Sequence, residues 1–322
     1  MEIFNLTLSQ MLTMFILIVA GYILRKKKIL PENAHLAMSR LETYAIVPAL
    51  YLYSWITNCT PEILSQNSSL IIYGFVLVAI AALLSYPLSM LFIKKSNNRE
   101  LEYRRNIYKY AMTFGNYGFM GNFLVLSVWG DAMFFKYSMF TMFVSFVCGS
   151  WGLIILIPKD RAGKETFMSV LKRIMTPPTV ALLVGMIVGL LNLTQYVPSF
   201  VMNAFSNASK CMGPIAMLLA GFVIGGYDVK ELLSDKKIYV ATLMRLIILP
   251  AIMMFALRAL GTSEEIMTFA LIAFATPLGL NTVVYPAAYG GEVKTGASMA
   301  VISHVLSVIT LPIMYLIFIV LM

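Results

Sequence analysis

Charged residues are scarce in this sequence of 322 residues. Asp, Glu, Lys and Arg together make up 12% of it, against about 25% in a typical soluble domain, whereas 60% of the residues are hydrophobic and the mean hydropathy is +0.82. This composition excludes an ordinary soluble protein and predicts an integral membrane protein. The first apolar segment, from Leu8 to Leu24, follows no basic leader and ends at a basic run, so we expect a membrane helix and not a cleaved signal.

Cysteines and enzyme motifs are rare or absent as well. The three cysteines, Cys59, Cys148 and Cys211, show no CxxC spacing, so the sequence indicates neither a disulfide framework nor a zinc site. It contains no HExxH, GxSxG or nucleotide-binding loop motif. These absences argue against a membrane enzyme, a receptor or an ATP-driven pump. We therefore expect a protein that is not an enzyme and that needs no metal or cofactor.

What the sequence does contain is a series of long apolar segments joined by short connections. Their number and length predict an all-α integral membrane protein with ten membrane spans. The predicted spans are residues 6–25, 36–57, 68–93, 108–128, 133–157, 178–194, 199–224, 238–261, 265–287 and 296–321.

The basic residues give the orientation of these spans. Most of the 24 Lys and Arg residues lie in alternate connections, and the positive-inside rule places those connections in the cytoplasm and both termini outside the cell. The net charge of +9 therefore indicates orientation in the lipid bilayer of the plasma membrane, and not nucleic-acid binding. The basic residues of the predicted cytoplasmic connections are Arg25, Lys26, Lys27, Lys28, Lys94, Lys95, Arg99, Arg104, Arg105, Lys109, Lys159, Arg161, Lys164, Lys172, Arg173, Lys230, Lys236, Lys237 and Lys294.

Two of the spans share an unusual design. Residues 114–130 and 274–290 are apolar runs interrupted near their middle by glycine, asparagine or proline. Such residues weaken a membrane helix unless the freed backbone groups find other partners. Interrupted segments at corresponding places in the two halves of a chain are typical of the binding site of a secondary transporter.

The two interruptions belong to halves that correspond along their length. Pro48 matches Pro214 and Pro87 matches Pro250, in the same order as the interrupted segments, although prolines are common in membrane helices and could match by chance. Five spans in each half predict an inverted repeat in which helices 4 and 9 cross. The predicted parts are a first half, 1–157, a cytoplasmic linker, 158–176, with an interfacial amphipathic helix at 163–174, and a second half, 177–322.

The interrupted segments also resemble a known signature. The sequence FGNYGFMGN at residues 114–122 is similar to the Asn-Thr-Gly-Phe-x-Gly signature of the auxin efflux carrier family, and so are ATPLGLN at 275–281 and YPAAYG at 285–290. The resemblance covers essentially the whole chain and is closest to the bacterial members, which include malate and malonate carriers. It implies relatedness to the PIN-type auxin carriers and to the bile-acid sodium symporters, with a ten-helix, five-plus-five inverted fold and elevator-like alternating access.

The first segment departs from that signature at one place. Gly121 is followed by Asn122 and Phe123, where family members often have a proline, so the first interruption is predicted to rest on glycine and asparagine alone. The second interruption keeps Pro277 and Pro286.

An interrupted helix has a definite electrostatic consequence. It exposes N–H groups at the amino end of one half-helix and C=O groups at the carboxyl end of the other, and the amino ends attract anions. Two interruptions near the midplane predict a small polar site for an organic anion, although the glycines could serve only close helix packing. The residues predicted to line this site are Asn116, Gly118, Gly121, Asn122, Thr276, Pro277, Gly279, Asn281, Lys210 and His304.

Ionisable residues inside the spans are few. Lys210 is expected near the midplane, where it could meet the anion or act as a proton or cation switch, unless it extends to the interface. His304 could line the site, titrate or make a structural hydrogen bond. Glu42 and Arg245 could form a structural pair or a gate. The residues predicted to have gating or structural roles are Arg40, Glu42, Pro48, Pro214, Arg245 and Pro286.

The function predicted from these features is secondary active transport of a small organic anion. A carboxylate or dicarboxylate such as malate or malonate, or an auxin-like acid, fits a small polar site. The alternatives are an ion channel, or a symporter of another small metabolite coupled to Na⁺ or H⁺. The residues leave the substrate, the direction of transport and the coupling ion open, and a homodimer is compatible with them.

Overall fold

The computed structural model describes residues 2–161 and 167–322, and every regular element within these ranges is helical. Ten principal helices, α1 to α10, follow the order of the predicted spans. Five of them are α1 (Glu2–Lys26), α2 (residues 34–58), α3 (Ser68–Met90), α4 (Arg99–Thr113 as α4a and residues 117–129 as α4b) and α5 (residues 131–155). The others are α6 (Pro177–Leu190), α7 (Ser199–Ser209 as α7a and Met212–Ile224 as α7b), α8 (residues 236–259), α9 (Glu264–Ala275 as α9a and Asn281–Tyr289 as α9b) and α10 (residues 294–321).

Six helices within the described ranges are long and apolar enough to cross a membrane, and a seventh span results if the bent pair Met168–Ile174 and Pro177–Leu190 is counted as one. The six are α1, α3, α5, α7, α8 and α10. The structure thus confirms a multi-pass, all-helical protein. The other predicted spans are helical where expected, but α4 and α9 are interrupted, α6 is short, and α2 is more polar. The ten-span inverted repeat therefore stays a prediction.

Local sequence explains where several helices begin. The Asn98 side chain accepts hydrogen bonds from the backbone N–H groups of Glu100 and Leu101 and so caps α4a. Thr176 and Ser263 cap α6 and α9a in the same way. These caps satisfy N–H groups that have no partner within the helix.

Prolines explain three of the irregular turns inside the helices. Pro214 has no N–H to offer the carbonyl of Lys210, and α7 is interrupted at Lys210 and Cys211. α2 contains a π-helical turn, Glu42–Ile46, that ends two residues before Pro48. α8 contains a similar turn, Met244–Ile248, that ends two residues before Pro250. α3 continues through Pro87 without interruption.

The linker between the two halves contains a short helix, Phe167–Ile174, with Lys172 and Arg173 in its last turn. It covers the second part of the predicted amphipathic helix. The first part, residues 163–166, lies outside the described residues.

Helices from the two halves of the chain pack closely on each other. α1 lies against α7b, and α2 lies against α6. At the first of these contacts Gly21 faces the backbone of Leu218 and Gly221 faces the backbone of Ile18, so the two helix backbones touch where no side chain separates them.

Replacing Gly221 with alanine is expected to push α1 away from α7b and to lower the melting temperature of the detergent-purified protein. A Cβ atom at this position would overlap the Ile18 carbonyl group, and backbone cannot yield as a flexible side chain can. Gly226→Ala is the matched control, because a Cβ atom there would come no closer than 3.3 Å to its nearest neighbour. Equal melting temperatures for the two variants would contradict the close contact.

Candidate functional site

The two interruptions predicted from sequence contact each other. The backbone N–H of Asn116, at the end of the first interruption, donates a hydrogen bond of 2.7 Å to the carbonyl oxygen of Pro277 in the second. Gly279 lies beside them, and a Cβ atom on it would be 3.8 Å from the Asn116 Cα atom. Asn116, Thr276, Pro277 and Gly279, all predicted site residues, are therefore brought together at one point of the fold.

Arg245 ties this point to α8. Its Nη1 donates to the carbonyl oxygen of Ala111 and its Nη2 to that of Thr276, each at 2.7 Å. These carbonyls stand at the carboxyl ends of α4a and α9a, where each helix presents partial negative charge. One buried guanidinium thus satisfies and neutralises both ends. The expected pair with Glu42 is not formed, because the two carboxyl oxygens of Glu42 have no hydrogen-bond partner and the Arg245 hydrogen bonds go to backbone.

The amino ends of the other two half-helices are arranged differently. Asn116 immediately precedes the turn that opens α4b, and Asn281 is the first residue of α9b. Both residues line a cavity of about 510 Å³. The carboxyl ends of the interrupted helices are covered by a cation, whereas the amino ends, which carry partial positive charge, border open space.

The lining of the 510 Å³ cavity is mostly apolar, with several polar and aromatic side chains. Besides the two asparagines, its lining includes Arg40, predicted here as a gating or structural residue, and Tyr285 and Tyr289 from α9b. His35, Ser39 and Thr43 of α2 add further polar groups.

A second cavity, of about 240 Å³, lies on the other side of Asn281. Tyr117, Gly118 and Asn122 line it from α4, together with Asn281 itself. The Asn122 side chain is fully buried beside Tyr51, and neither its oxygen nor its nitrogen forms a hydrogen bond of normal geometry. Buried amide groups without partners are rare in proteins, so this side chain has spare donor and acceptor capacity beside the cavity.

Several residues that hold this geometry were missed by the sequence analysis. The Ser303 hydroxyl accepts a hydrogen bond of 2.9 Å from the backbone N–H of Leu278, inside the second interruption. Asn281 donates to the Tyr110 hydroxyl at 2.9 Å, and that hydroxyl contacts the Cys148 sulfur at 3.3 Å. Nothing in the local sequence marked Tyr110 or Cys148.

Two predicted site residues lie apart from this cluster. Lys210 is exposed at the interruption of α7 and lines neither of the two cavities. His304 is buried in α10, where its Nδ1 contacts the Ala300 carbonyl oxygen at 2.7 Å and its Nε2 has no partner.

Of the remaining predicted residues, Gly121 and Pro286 lie in packed surroundings, whereas Gly118 borders the smaller cavity. Gly121 allows the Tyr137 hydroxyl to approach α4b, where that hydroxyl donates to the Tyr117 carbonyl oxygen at 3.2 Å. Pro286 lies buried inside α9b, and Gly118 has open space around it. No group of three or more His, Cys, Asp or Glu residues in the described ranges is arranged to hold a metal ion.

Sequence comparison agrees with this architecture. The family model described as membrane transport protein matches residues 6–315, which is nearly the whole chain. No curated protein sequence matches the chain. Interrupted helices in a multi-pass helical protein are typical of secondary transporters. The chain belongs to the membrane transport protein family, the family of the auxin efflux carriers.

Proposed function

We propose that this protein is a secondary active carrier of a small organic anion. One observation carries the proposal: the carboxyl ends of α4a and α9a are neutralised by Arg245, whereas the amino ends of α4b and α9b border the cavities. The two interruptions therefore present net positive charge to the cavities. A carboxylate is the ligand that such a site attracts.

Asn116 and Asn281 are the side chains placed to bind the carboxylate. Each carries an amide group with N–H donors for a carboxylate oxygen, and each stands at the amino end of a half-helix. The Asn281 amide would exchange its hydrogen bond to the Tyr110 hydroxyl for one to the anion. Hydrogen bonds to a charged partner stabilise a complex by about 1.5–3 kcal/mol. Arg40, in the wall of the larger cavity, adds a positive charge on the path to the site.

The transport cycle follows from the same features. Ten spans in a five-plus-five inverted repeat, with α4 and α9 crossing, would let one group of helices carry the site past the other in an elevator-like movement. The protein would lie in the plasma membrane with both termini outside and its basic connections in the cytoplasm. Malate, malonate and auxin-like acids are the substrates to test first.

Asn281→Ala is expected to reduce anion uptake into proteoliposomes by about 10- to 100-fold at low substrate concentration, since about 1.4 kcal/mol of lost binding energy corresponds to a factor of ten. Asn116→Ala should act in the same direction. Asn203→Ala is the matched control, because this amide is exposed on α7a, away from both cavities.

Folding of each variant is checked by gel filtration and melting temperature before uptake is measured. Wild-type uptake rates for well-folded Asn116→Ala and Asn281→Ala would contradict the proposed site. Anion currents at single-channel rates in planar bilayers would contradict a carrier.

A further inference from the structure

The π-helical turn of α2 carries a carboxyl group that the proposed anion site does not use. Glu42 has no exposed surface, and neither carboxyl oxygen has a hydrogen-bond partner. An unpaired carboxylate is costly in an apolar interior, and such a group is instead held as the neutral acid. We propose that Glu42 is the proton-binding site of this carrier and that the protein moves its anion together with a proton, an inference that rests on the proposed function.

The surroundings of Glu42 can hold either form of the carboxyl group. The group faces the backbone amide of Ala216, in the first turns of α7b, without forming a hydrogen bond of normal geometry. The amino end of a helix favours a negative charge, whereas burial without a partner disfavours it. Because these effects oppose each other, access of water to the group can decide whether the proton stays or leaves.

Two residues next to the Glu42 carboxyl group line the larger cavity. Thr43, the next residue along α2, and Ala216, the residue that Glu42 faces, both line the 510 Å³ cavity. Asn116 and Asn281 line the same cavity. The proton site and the anion site therefore lie at the same cavity, and Glu42 is next in sequence to a residue that lines it.

No ionic partner fixes the charge state of Glu42. The elements that pack on its turn are the rest of α2, α6 and both halves of α7. No titratable or charged side chain described on these elements forms a hydrogen bond with the Glu42 carboxyl oxygens. These side chains are His35, Arg40, Tyr44, Tyr51, Tyr53, Lys210 and Cys211.

The shared cavity gives the direction of coupling. Protonation of Glu42 removes a negative charge from behind the wall of the cavity in which the anion binds, so each ligand favours binding of the other. In one cycle a proton from water binds a Glu42 oxygen on one side of the membrane, and the O–H bond breaks to release it to water on the other side. Anion and proton therefore travel in the same direction.

The test measures proton movement and anion uptake in the same vesicles. Wild-type protein is reconstituted into liposomes that contain a pH-sensitive dye, and an inward malate gradient is applied without an initial pH difference. We expect the interior to acidify as labelled malate enters, with about one proton per transport cycle in excess of the vesicle leak. Malonate serves as the second substrate.

Glu42→Gln should abolish the proton movement that accompanies each transported anion, because an amide cannot take up and release the proton. Glu62→Gln, an exposed glutamate in the helix Pro61–Gln66, should keep the wild-type ratio of protons to anions. The ratio is independent of how much active protein each preparation contains.

The outcomes separate this inference from the proposed function. Malate or malonate uptake by wild type without proton movement overturns the role of Glu42 but not the proposed carrier function. An unchanged ratio of protons to anions in Glu42→Gln has the same consequence. Absence of all uptake by folded wild-type protein counts against the carrier itself and, with it, against proton coupling. If Glu42→Gln does not fold, the wild-type ratio alone decides.

Discussion

Replacing Arg245 with alanine is expected to destabilise the protein by about 3–5 kcal/mol and to abolish transport. The variant would leave the carbonyl groups of Ala111 and Thr276 buried without a donor, at about 1–3 kcal/mol each, and would add a cavity where the guanidinium had been. The two carboxyl helix ends would also face each other without the positive charge that neutralises them.

The effect is measured as the loss of melting temperature and as uptake in proteoliposomes. Arg258→Ala is the matched control, since this arginine lies on the same helix and is exposed. Arg245→Lys should fall between wild type and Arg245→Ala, because an ammonium group keeps the charge but lacks the planar fork that reaches two carbonyls at once. A melting temperature for Arg245→Ala equal to that of Arg258→Ala would contradict the bridging role.

Replacing Gly115 with alanine is the second change expected to have a large effect. A Cβ atom at this position would lie 2.6 Å from Nη2 of Arg245 and 2.8 Å from the carbonyl oxygen of Ala273, both closer than real Cβ contacts allow. The α4 interruption would have to move away from α9a, which we expect to cost about 1–3 kcal/mol and to weaken the hydrogen bond between Asn116 and Pro277.

Gly118→Ala is the informative comparison, because Gly118 lies three residues further along the same segment and a Cβ atom added to it would have no neighbouring atom within 4 Å. Its melting temperature should stay close to that of wild type. Equal melting temperatures for the two variants would contradict the close contact between Gly115 and the second interruption.

Much of the helical framework could be predicted from the sequence. The apolar runs located the helices, and the glycine, asparagine and proline residues located the interruptions in α4 and α9, because both signals are local. The observation that Asn116 and Asn281 stand at the amino ends of half-helices follows from the same local signals.

The partners of the charged residues could not be predicted in this way. A structural pair or a gate was one possibility for Arg245 and Glu42, since opposite charges inside a membrane usually pair. Its actual partners are backbone carbonyls, 134 and 31 residues away in sequence. Every residue has a backbone carbonyl, so the sequence does not show which carbonyls accept these hydrogen bonds. The predicted depth of Lys210 in span 7 did not show that its side chain is exposed and outside both cavities.

The most direct test of anion binding at the two interruptions is a thermal-shift titration of the purified protein with malate, malonate and an auxin-like acid, each with and without Na⁺. A ligand bound only by the folded protein stabilises it by about 2.7 kcal/mol at one hundred times its dissociation constant. We expect at least one of these acids to raise the melting temperature of the wild type and of Asn203→Ala, and to leave the double variant Asn116→Ala/Asn281→Ala unchanged. Equal stabilisation of all three proteins, or of none by any acid, would contradict an anion site at the meeting point of α4 and α9.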